Sequence, residues 1–268
     1  MRYRVRRADP AGNITLYVLD AVDAASRPAL AARLIKELPD WKIEQVGFVC
    51  PPHAGTDGRF EMMGGEFCGN ATRAYGMLLA RDRGLAAPAH LLIETSGCDH
   101  PVAVDVDPKA GTSRAQMPLP GAARRYTAGG VEGVLVDLGG IVHFVVQCAP
   151  DESLMDAVEP ICNAPREQGG FAGVEAYGVI FLHDAHLTPL VKVPAAGTLV
   201  WEGSCGSGSL AAAVALGFDP QTADGTFAGD FVQPAGVIRA EIAWHDHAID
   251  AAYIGGSVAL DEPVTVEI

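Results

Sequence analysis

The sequence predicts an α+β protein of two pseudo-symmetric lobes, on three observations. Short apolar strand patterns outnumber helical runs along the whole chain. Two glycine-flanked cysteine segments resemble one another and fall one in each half. The cluster Pro118-Leu119-Pro120-Gly121 marks the crossing from one half to the other. On this reading the first lobe covers residues 1–118, the terminal strand 258–268 can complete it, and the second lobe covers 119–257. One thiol per half predicts a cleft with the active site between the lobes. The pattern does not fix strand order.

In chain order, residues 3–6 and 13–19 alternate as strands about a turn at Pro10-Ala11-Gly12. Residues 26–38 follow as a helix, with Ser26 as N-cap, Pro28 in the first turn and Leu30, Leu34, Ile35 and Leu38 as an apolar stripe. Strands are expected at 45–49 and 58–63, then a helix over 71–81 directly after the first cysteine motif. Residues 91–95, 102–106 and 113–117 continue the strand pattern. In the second half the expected strands are 133–138, 142–146, 177–182, 187–193, 198–201, 233–242 and 251–254. Helices are expected at 151–158 and, after the second cysteine motif, at 210–216. The last strand, 264–268, suits either half.

Composition narrows the function classes. Of 268 residues, 49% are hydrophobic and 19% charged, which a folded chain with a sizeable core requires. The net charge of −14 disfavours both nucleic-acid backbones and anionic membrane surfaces. No apolar run reaches the roughly 20 residues of a membrane span. Asp9, Asn13 and Asp20 interrupt anything that could serve as a signal-peptide core. A cytoplasmic location is therefore expected, and the six cysteines, without CxxC spacing, are expected as free thiols.

The chemistry lies in the paired segments Gly65-Glu66-Phe67-Cys68-Gly69-Asn70-Ala71-Thr72 and Gly203-Ser204-Cys205-Gly206-Ser207-Gly208-Ser209. Each puts a cysteine where a helix should begin. The first turn of a helix leaves N–H groups unpaired and carries partial positive charge. A thiolate there is favoured, so the cysteine pKa is expected to fall toward neutrality. The same N–H groups can hold a carboxylate, and the flanking glycine lets a ligand approach the backbone. Two such ends facing one cleft would grip an amino acid and place a sulfur on each side of Cα. A buried, inert role is the common fate of a lone cysteine, and it fits Cys50, Cys98, Cys148 and Cys162, which lack this context.

The two motifs resemble those of the diaminopimelate epimerase family, and within it the chain is most similar to histidine racemases of staphylopine-type metallophore pathways. The resemblance extends over most of the chain, through residues 10–15, 44–48, 66–72, 96–98, 116–118, 201–208 and 233–236. It implies two lobes of diaminopimelate-epimerase-like fold, no cofactor, no metal, and racemisation by a thiol pair, Cys68 and Cys205. It further implies that Asn13 helps to fix the amino acid. Gly69, Asn70, Gly206 and Ser207 would form the two turns that support carboxylate and thiol, and Glu202 would meet the ammonium. His143 stands where the family has a histidine after a glycine-rich turn. Here that run is Gly139-Gly140-Ile141-Val142-His143, without the Asn-Pro-His form of diaminopimelate epimerase, and Glu202-Gly203-Ser204 replaces that enzyme's Gly-Glu-Thr. Both departures turn the substrate away from diaminopimelate.

Simpler readings stand beside these. Asn13 suits a turn, Asn70 a first-turn cap, Glu202 a solvated strand end and His143 a satisfied core histidine. His183-Asp184-Ala185-His186 and His245-Asp246-His247 lack the further ligands that a metal site needs. The leading expectation is an amino-acid racemase acting on histidine as a small-molecule substrate. Diaminopimelate or another amino acid is the alternative substrate. A non-catalytic small-molecule-binding protein and a thiol redox switch are the alternatives of other classes. The sequence leaves the oligomeric state open, a homodimer included.

Overall fold

Each cysteine motif sits where a strand hands the chain to a helix, and the fold is built around those two helices. The computed structural model describes residues 1–268. The chain divides into two units, one of Met1–Gln116 with Gly255–Ile268 and one of Met117–Ile254.

The first unit contains β1 (Arg2–Asp9), β2 (Thr15–Val18), α1 (Arg27–Glu37), β3 (Gln45–Cys50), β4 (Gly58–Met62), α2 (Gly69–Asp82), β5 (Ala89–Thr95), β6 (Val102–Asp107) and β7 (Thr112–Gln116). β2 pairs parallel with β3 across α1, and β4 pairs parallel with β5 across α2. The remaining neighbours are antiparallel hairpins: β1 with β2, β3 with β4, β5 with β6, and β6 with β7. α2 is buried without a break from Gly69 to Ala80, so it has no solvent face and stands inside the unit. Around it, the rings of Tyr17, Phe60 and Tyr75 pack with centroids 5.0–5.8 Å apart. α1 is an ordinary amphipathic helix, burying Leu30, Ala31 and Leu34 against Val5, Leu16, Val46 and Phe48.

The second unit contains β8 (Ala123–Ala128), β9 (Val131–Asp137), β10 (Ile141–Val146), α3 (Ser153–Asn163), β11 (Ala176–His183), β12 (His186–Val193), β13 (Thr198–Trp201), α4 (Gly206–Gly217), β14 (Gly225–Gln233), β15 (Gly236–His245) and β16 (Ala248–Ser257). The unit boundary falls within β16, before Gly255. β10 pairs parallel with β11 across α3, repeating the crossover of the first unit. α4 is buried from Gly208 to Val214 and packs on β9, β10, β11, β14 and β15. After β16 the chain adds β17 (Ala259–Leu260) and β18 (Val264–Glu267), both antiparallel to β1. No helix is long and apolar enough to cross a membrane.

The structure departs from the sequence reading at several elements. Ser26 makes no side-chain cap; it ends a short 3-10 turn, Ala24–Ser26, that Asp23 caps through Ala25 N–H. β8 was not expected, because Ala123, Arg124, Arg125 and Thr127 are exposed and leave no alternation to read. β14 was not expected because Gly225 and Gly229 dilute its inward face. The expected strand 233–242 is two strands: Gln233 pairs with Gly236 across a two-residue turn, Pro234 and Ala235. The two cysteine helices begin earlier than expected, at Gly69 and Gly206, because the cysteines themselves cap them.

Candidate active site

Cys68 is the N-cap of α2, with φ −132° and ψ 110°, and its sulfur accepts the N–H of Ala71 at 3.4 Å. Cys205 is the N-cap of α4, with φ −130° and ψ 112°, and its sulfur accepts the N–H of Gly208 at 3.3 Å. Serine, threonine, asparagine and aspartate normally fill this position, and a sulfur is the weaker acceptor. The cap is thus occupied by the residue that chemistry rather than helix stability would choose. A second element of the motif also repeats. Thr72 Oγ1 and Ser209 Oγ donate back to the carbonyls of Cys68 and Cys205 at 2.9 and 2.8 Å. Gly208 must lack a side chain, since a Cβ there would stand 2.7 Å from Ile180 Cδ1 and 3.3 Å from the Cys205 sulfur.

Around Cys68 the first unit gathers Asn13, Gln45 and Asn70. Thr15 pairs with Gln45 across the parallel β2–β3 ladder, which brings the Gln45 amide back over the start of β2. Gln45 Nε2 lies 2.7 Å from Asn13 Oδ1, 2.8 Å from Thr15 Oγ1 and 3.3 Å from Cys68 Sγ. Asn13 Nδ2 in turn donates to Glu44 Oε2 at 2.7 Å. Asn70 Oδ1 accepts from Arg73 Nε at 3.0 Å, and both residues are buried. The hydroxyl of Tyr17 donates to the Ala71 carbonyl at 2.5 Å, tying the first turn of α2 to β2.

Around Cys205 the second unit gathers His143, Glu202, Ser207, Ser209 and Gln233. Gln233 Oε1 accepts the Cys205 N–H at 2.7 Å while its Nε2 donates to Ser209 Oγ at 2.9 Å. The turn at Pro234 and Ala235 ends β14 at Gln233 and so places that amide beneath the cap. Ser207 Oγ lies 3.3 Å from Cys205 Sγ and 2.8 Å from His143 Nε2. His143 is enclosed, with no exposed surface, and Nδ1 has no partner. Its strand neighbour is Gly178, where an added Cβ would stand 2.8 Å from Nδ1. Burial holds the His143 pKa down to about 3, so the ring is neutral and Nε2–H can donate to Ser207.

The thiols do not have the lowered pKa that their helix positions predict. Burial pushes Cys68 up; the Ala71 N–H and the Gln45 amide pull it down, and the Glu66 carboxylate adds a smaller push upward. Burial pushes Cys205 well up, and the neighbouring Glu202 carboxylate adds to it, against the Ser207 hydroxyl and the Gly208 N–H. Loss of hydration around sulfur outweighs the donors at the helix start. Glu44 is also raised, by burial, with the Asn13 amide opposing.

All nine residues singled out from sequence fall in these two clusters: Asn13, Cys68, Gly69 and Asn70 in the first unit, His143, Glu202, Cys205, Gly206 and Ser207 in the second. His143 reaches its cluster only through Ser207. Four further residues were missed: Gln45, Arg73, Ser209 and Gln233. Gln45 and Gln233 lie within stretches that carry the family resemblance, and Ser209 is the counterpart of Thr72 four positions after the cysteine, a repeat the sequence already displays. Cys50, Cys98, Cys148 and Cys162 are free thiols outside both clusters.

The family model described as the histidine racemase CntK N-terminal domain matches residues 4–262. A histidine racemase of Fusobacterium nucleatum subsp. nucleatum is 30% identical over 265 residues, covering 95% of this chain and 92% of that protein. A histidine racemase of Staphylococcus aureus is 27% identical over 218 residues, 75% of each chain. Among solved structures, a hydroxyproline epimerase from Agrobacterium vitis with bound trans-4-hydroxy-L-proline superposes with a TM-score of 0.61 at 12% identity, covering 99% of this chain and 92% of that one. A phenazine biosynthesis PhzF family protein from Enterococcus faecalis gives 0.60 at 16% identity over 100% of both. These two structural likenesses concern the fold.

Proposed function

The chain belongs to the family described as the histidine racemase CntK N-terminal domain, and from that membership we propose that it interconverts L- and D-histidine with Cys68 and Cys205 as its acid and base. At the coarser level it is an isomerase of the racemase and epimerase type. The observation that carries the finer reading is the duplicated cap: two sulfurs, each at the start of a buried helix, each with a hydrogen-bonded amide or hydroxyl beside it.

In the proposed reaction one sulfur, as thiolate, takes the Cα proton and becomes a thiol. The electron pair left on Cα is delocalised into the carboxylate. The other sulfur, as thiol, returns a proton to the opposite face and becomes the thiolate. The pair ends one proton transfer from where it began, and the reverse reaction resets it. The reading requires both sulfurs to reach one carbon from opposite sides. It needs no cofactor, because the thiols supply both acid and base.

The raised thiol pKa supports this chemistry. The Cα proton of an amino acid is a very weak acid, so a desolvated, more basic thiolate is better matched to it than one tuned to neutrality. General acid–base catalysis contributes about 10²–10⁴-fold, so fixed dipoles must supply much of the rest. N–H groups at the starts of α2 and α4 are the donors for the substrate carboxylate, and Glu202 is the partner for its ammonium. His143 acts through Ser207, without meeting the substrate. Both sulfurs must stay reduced, which suits a reducing compartment such as the cytoplasm. Supplying D-histidine for an opine-type metallophore is the role that the family resemblance suggests.

The test is incubation with L-histidine in heavy water, followed by chiral chromatography and by loss of the Cα–H resonance. Racemisation with deuterium entry is the expected result, abolished in Cys68→Ala and in Cys205→Ala. A panel including diaminopimelate and other L-amino acids tests the substrate. Exchange with none of them, or exchange that survives both substitutions, would sink the reading.

A further inference from the structure

A chain of side-chain hydrogen bonds ends at Cys68, and all but one of its members can play either part in such a bond. The amides of Asn13 and Gln45, the Thr15 hydroxyl and the Cys68 thiol each carry a donor and an acceptor. The Glu44 carboxylate can only accept. It therefore sets the direction in which the chain runs. Asn13 must turn Nδ2 to Glu44 Oε2, which it meets at 2.7 Å. Its Oδ1 is then left facing Gln45, which answers with Nε2 at 2.7 Å. The same Nε2 reaches Thr15 Oγ1 at 2.8 Å and Cys68 Sγ at 3.3 Å. Thr15 can accept there because its own proton goes to the Asn13 carbonyl at 3.3 Å. The two ends of an amide have nearly the same shape, so packing does not choose between them and the partners do. The backbone keeps the carriers together: the N–H groups of Glu44 and Gln45 both meet the Ile14 carbonyl, at 3.0 and 3.3 Å, next to Asn13.

This direction leaves the sulfur between a donor and an acceptor. Gln45 Nε2 is the donor, and Asn13 Oδ1, 3.9 Å away, is the acceptor for S–H. As a thiol, Cys68 can donate to Asn13; as a thiolate, it can accept from Gln45. Neither amide can exchange its ends without flipping, so one amide alone would serve one state and oppose the other. At Cys205 the same need is met by other means. Ser207 Oγ lies 3.3 Å from that sulfur with either atom able to donate, and a hydroxyl changes part by rotating its proton.

We propose that Glu44 is a positioning residue: it fixes the polarity of the Asn13 and Gln45 amides, so that Cys68 is served both as thiol and as thiolate. Its use rests on the two-thiol reading, in which the sulfur must be held before and after each proton transfer. Glu66, Arg73 and Tyr17 are the other charged or titratable groups that act on Cys68, and Asp9 acts on Glu44; none of them bonds to either amide.

The test needs no substrate, and the sign of one shift decides it. The intact protein is pulsed with iodoacetamide from about pH 6 to about pH 11, and alkylation of Cys68 and Cys205 is followed separately by peptide mass spectrometry. Glu44→Gln keeps the shape but lets the chain run either way, so part of the population turns Gln45 Oε1 to the sulfur. The Cys68 midpoint is expected to rise by about half a pH unit or more, with that of Cys205 in place. If Glu44 acted on the sulfur only through its charge, removing it would move the midpoint down instead. Glu44→Asp, which still only accepts, should shift the midpoint less than Glu44→Gln. In an Asn13→Ala background the Glu44→Gln shift should vanish, because the link is gone. Glu44 is exposed, so Glu44→Gln is expected to fold, with an unchanged melting temperature as the check. If Asn13→Ala does not fold, the sign in Glu44→Gln alone decides. A Cys68 midpoint that falls or stays, or a rise that persists in full without Asn13, would overturn the proposal. A raised midpoint in a protein that exchanges no Cα proton would leave the role of Glu44 standing and remove the racemase reading. Exchange in the wild type with an unmoved midpoint in Glu44→Gln would do the reverse.

Discussion

Cys68 and Cys205 cap their helices with the same backbone, φ −132° and ψ 110° in one and φ −130° and ψ 112° in the other, and each sulfur accepts the N–H three residues on. A cap is a structural role that serine performs better than cysteine. Serine substitutions therefore separate structure from chemistry. Cys68→Ser and Cys205→Ser are each expected to keep or slightly raise the melting temperature while Cα–H exchange falls by about 10²-fold or more. A serine variant that retains near-normal exchange would show that the sulfur is not needed as acid or base.

Gln45 spreads one amide group over Asn13, Thr15 and Cys68 at 2.7, 2.8 and 3.3 Å. Its contact with sulfur strengthens when the sulfur is charged. Hydrogen bonds to charged groups contribute about 1.5–3 kcal/mol, so Gln45→Ala should lower kcat by roughly 10–100-fold. The pH midpoint of Cys68 alkylation by iodoacetamide, followed by peptide mass spectrometry, should rise with it. An unchanged kcat would place Gln45 in the scaffold alone.

Gln233 satisfies the buried N–H of Cys205 and the hydroxyl of Ser209 together. Gln233→Ala leaves that N–H without an acceptor and is expected to destabilise the fold by about 1–3 kcal/mol. Denaturant unfolding measures this, and the loss should appear in the midpoint with the slope unchanged. Full stability in the variant would mean that another group takes over the N–H.

His143 gives a pH dependence whose sign is fixed by its burial. Its folded pKa is about 3, below the unfolded value of about 6.5. Between those values the unfolded chain binds a proton that the folded ring refuses, so stability falls as pH drops from about 6.5 toward about 3. Above pH 7 this residue adds no pH dependence. Chemical denaturation at pH 7.5 and 5.0 should show the loss, and His143→Gln should lessen it. An equal pH dependence in the variant would assign the effect to other groups.

Gly178→Ala tests the same ring from the other side. The new Cβ would stand 2.8 Å from both His143 Nδ1 and the Leu190 carbonyl. Overpacking of this kind costs about 1–3 kcal/mol, and a displaced ring would release Ser207. Reduced stability together with reduced exchange is the expected pair. Unchanged exchange in a destabilised variant would separate His143 from the chemistry.

How far the sequence carries differs by residue. The two cysteine caps were legible because capping is local: a cysteine, a glycine, a small polar residue and an Ala-rich run specify a helix start within one turn. Asn13, Asn70, Glu202 and Ser207 came from the family resemblance, residue by residue. Gln45 and Gln233 lie in stretches that carry the resemblance, but nothing local tied them to the site, since each acts on a cysteine more than 20 residues away. His143 was ambiguous in the sequence between a substrate contact and a core histidine; it is enclosed, with Nε2 meeting Ser207 and Nδ1 without a partner.

By itself the sequence determined that a glycine-flanked cysteine opens a helix in each half, because capping depends on neighbours within a few residues. Only the tertiary structure decided what surrounds each sulfur. Strand register brings Gln45 to Cys68, and a two-residue turn brings Gln233 to Cys205. Hydration is lost only when strands close around a helix, so the upward pull on both thiols could not be read from the cap motif, which by itself argues for the opposite shift.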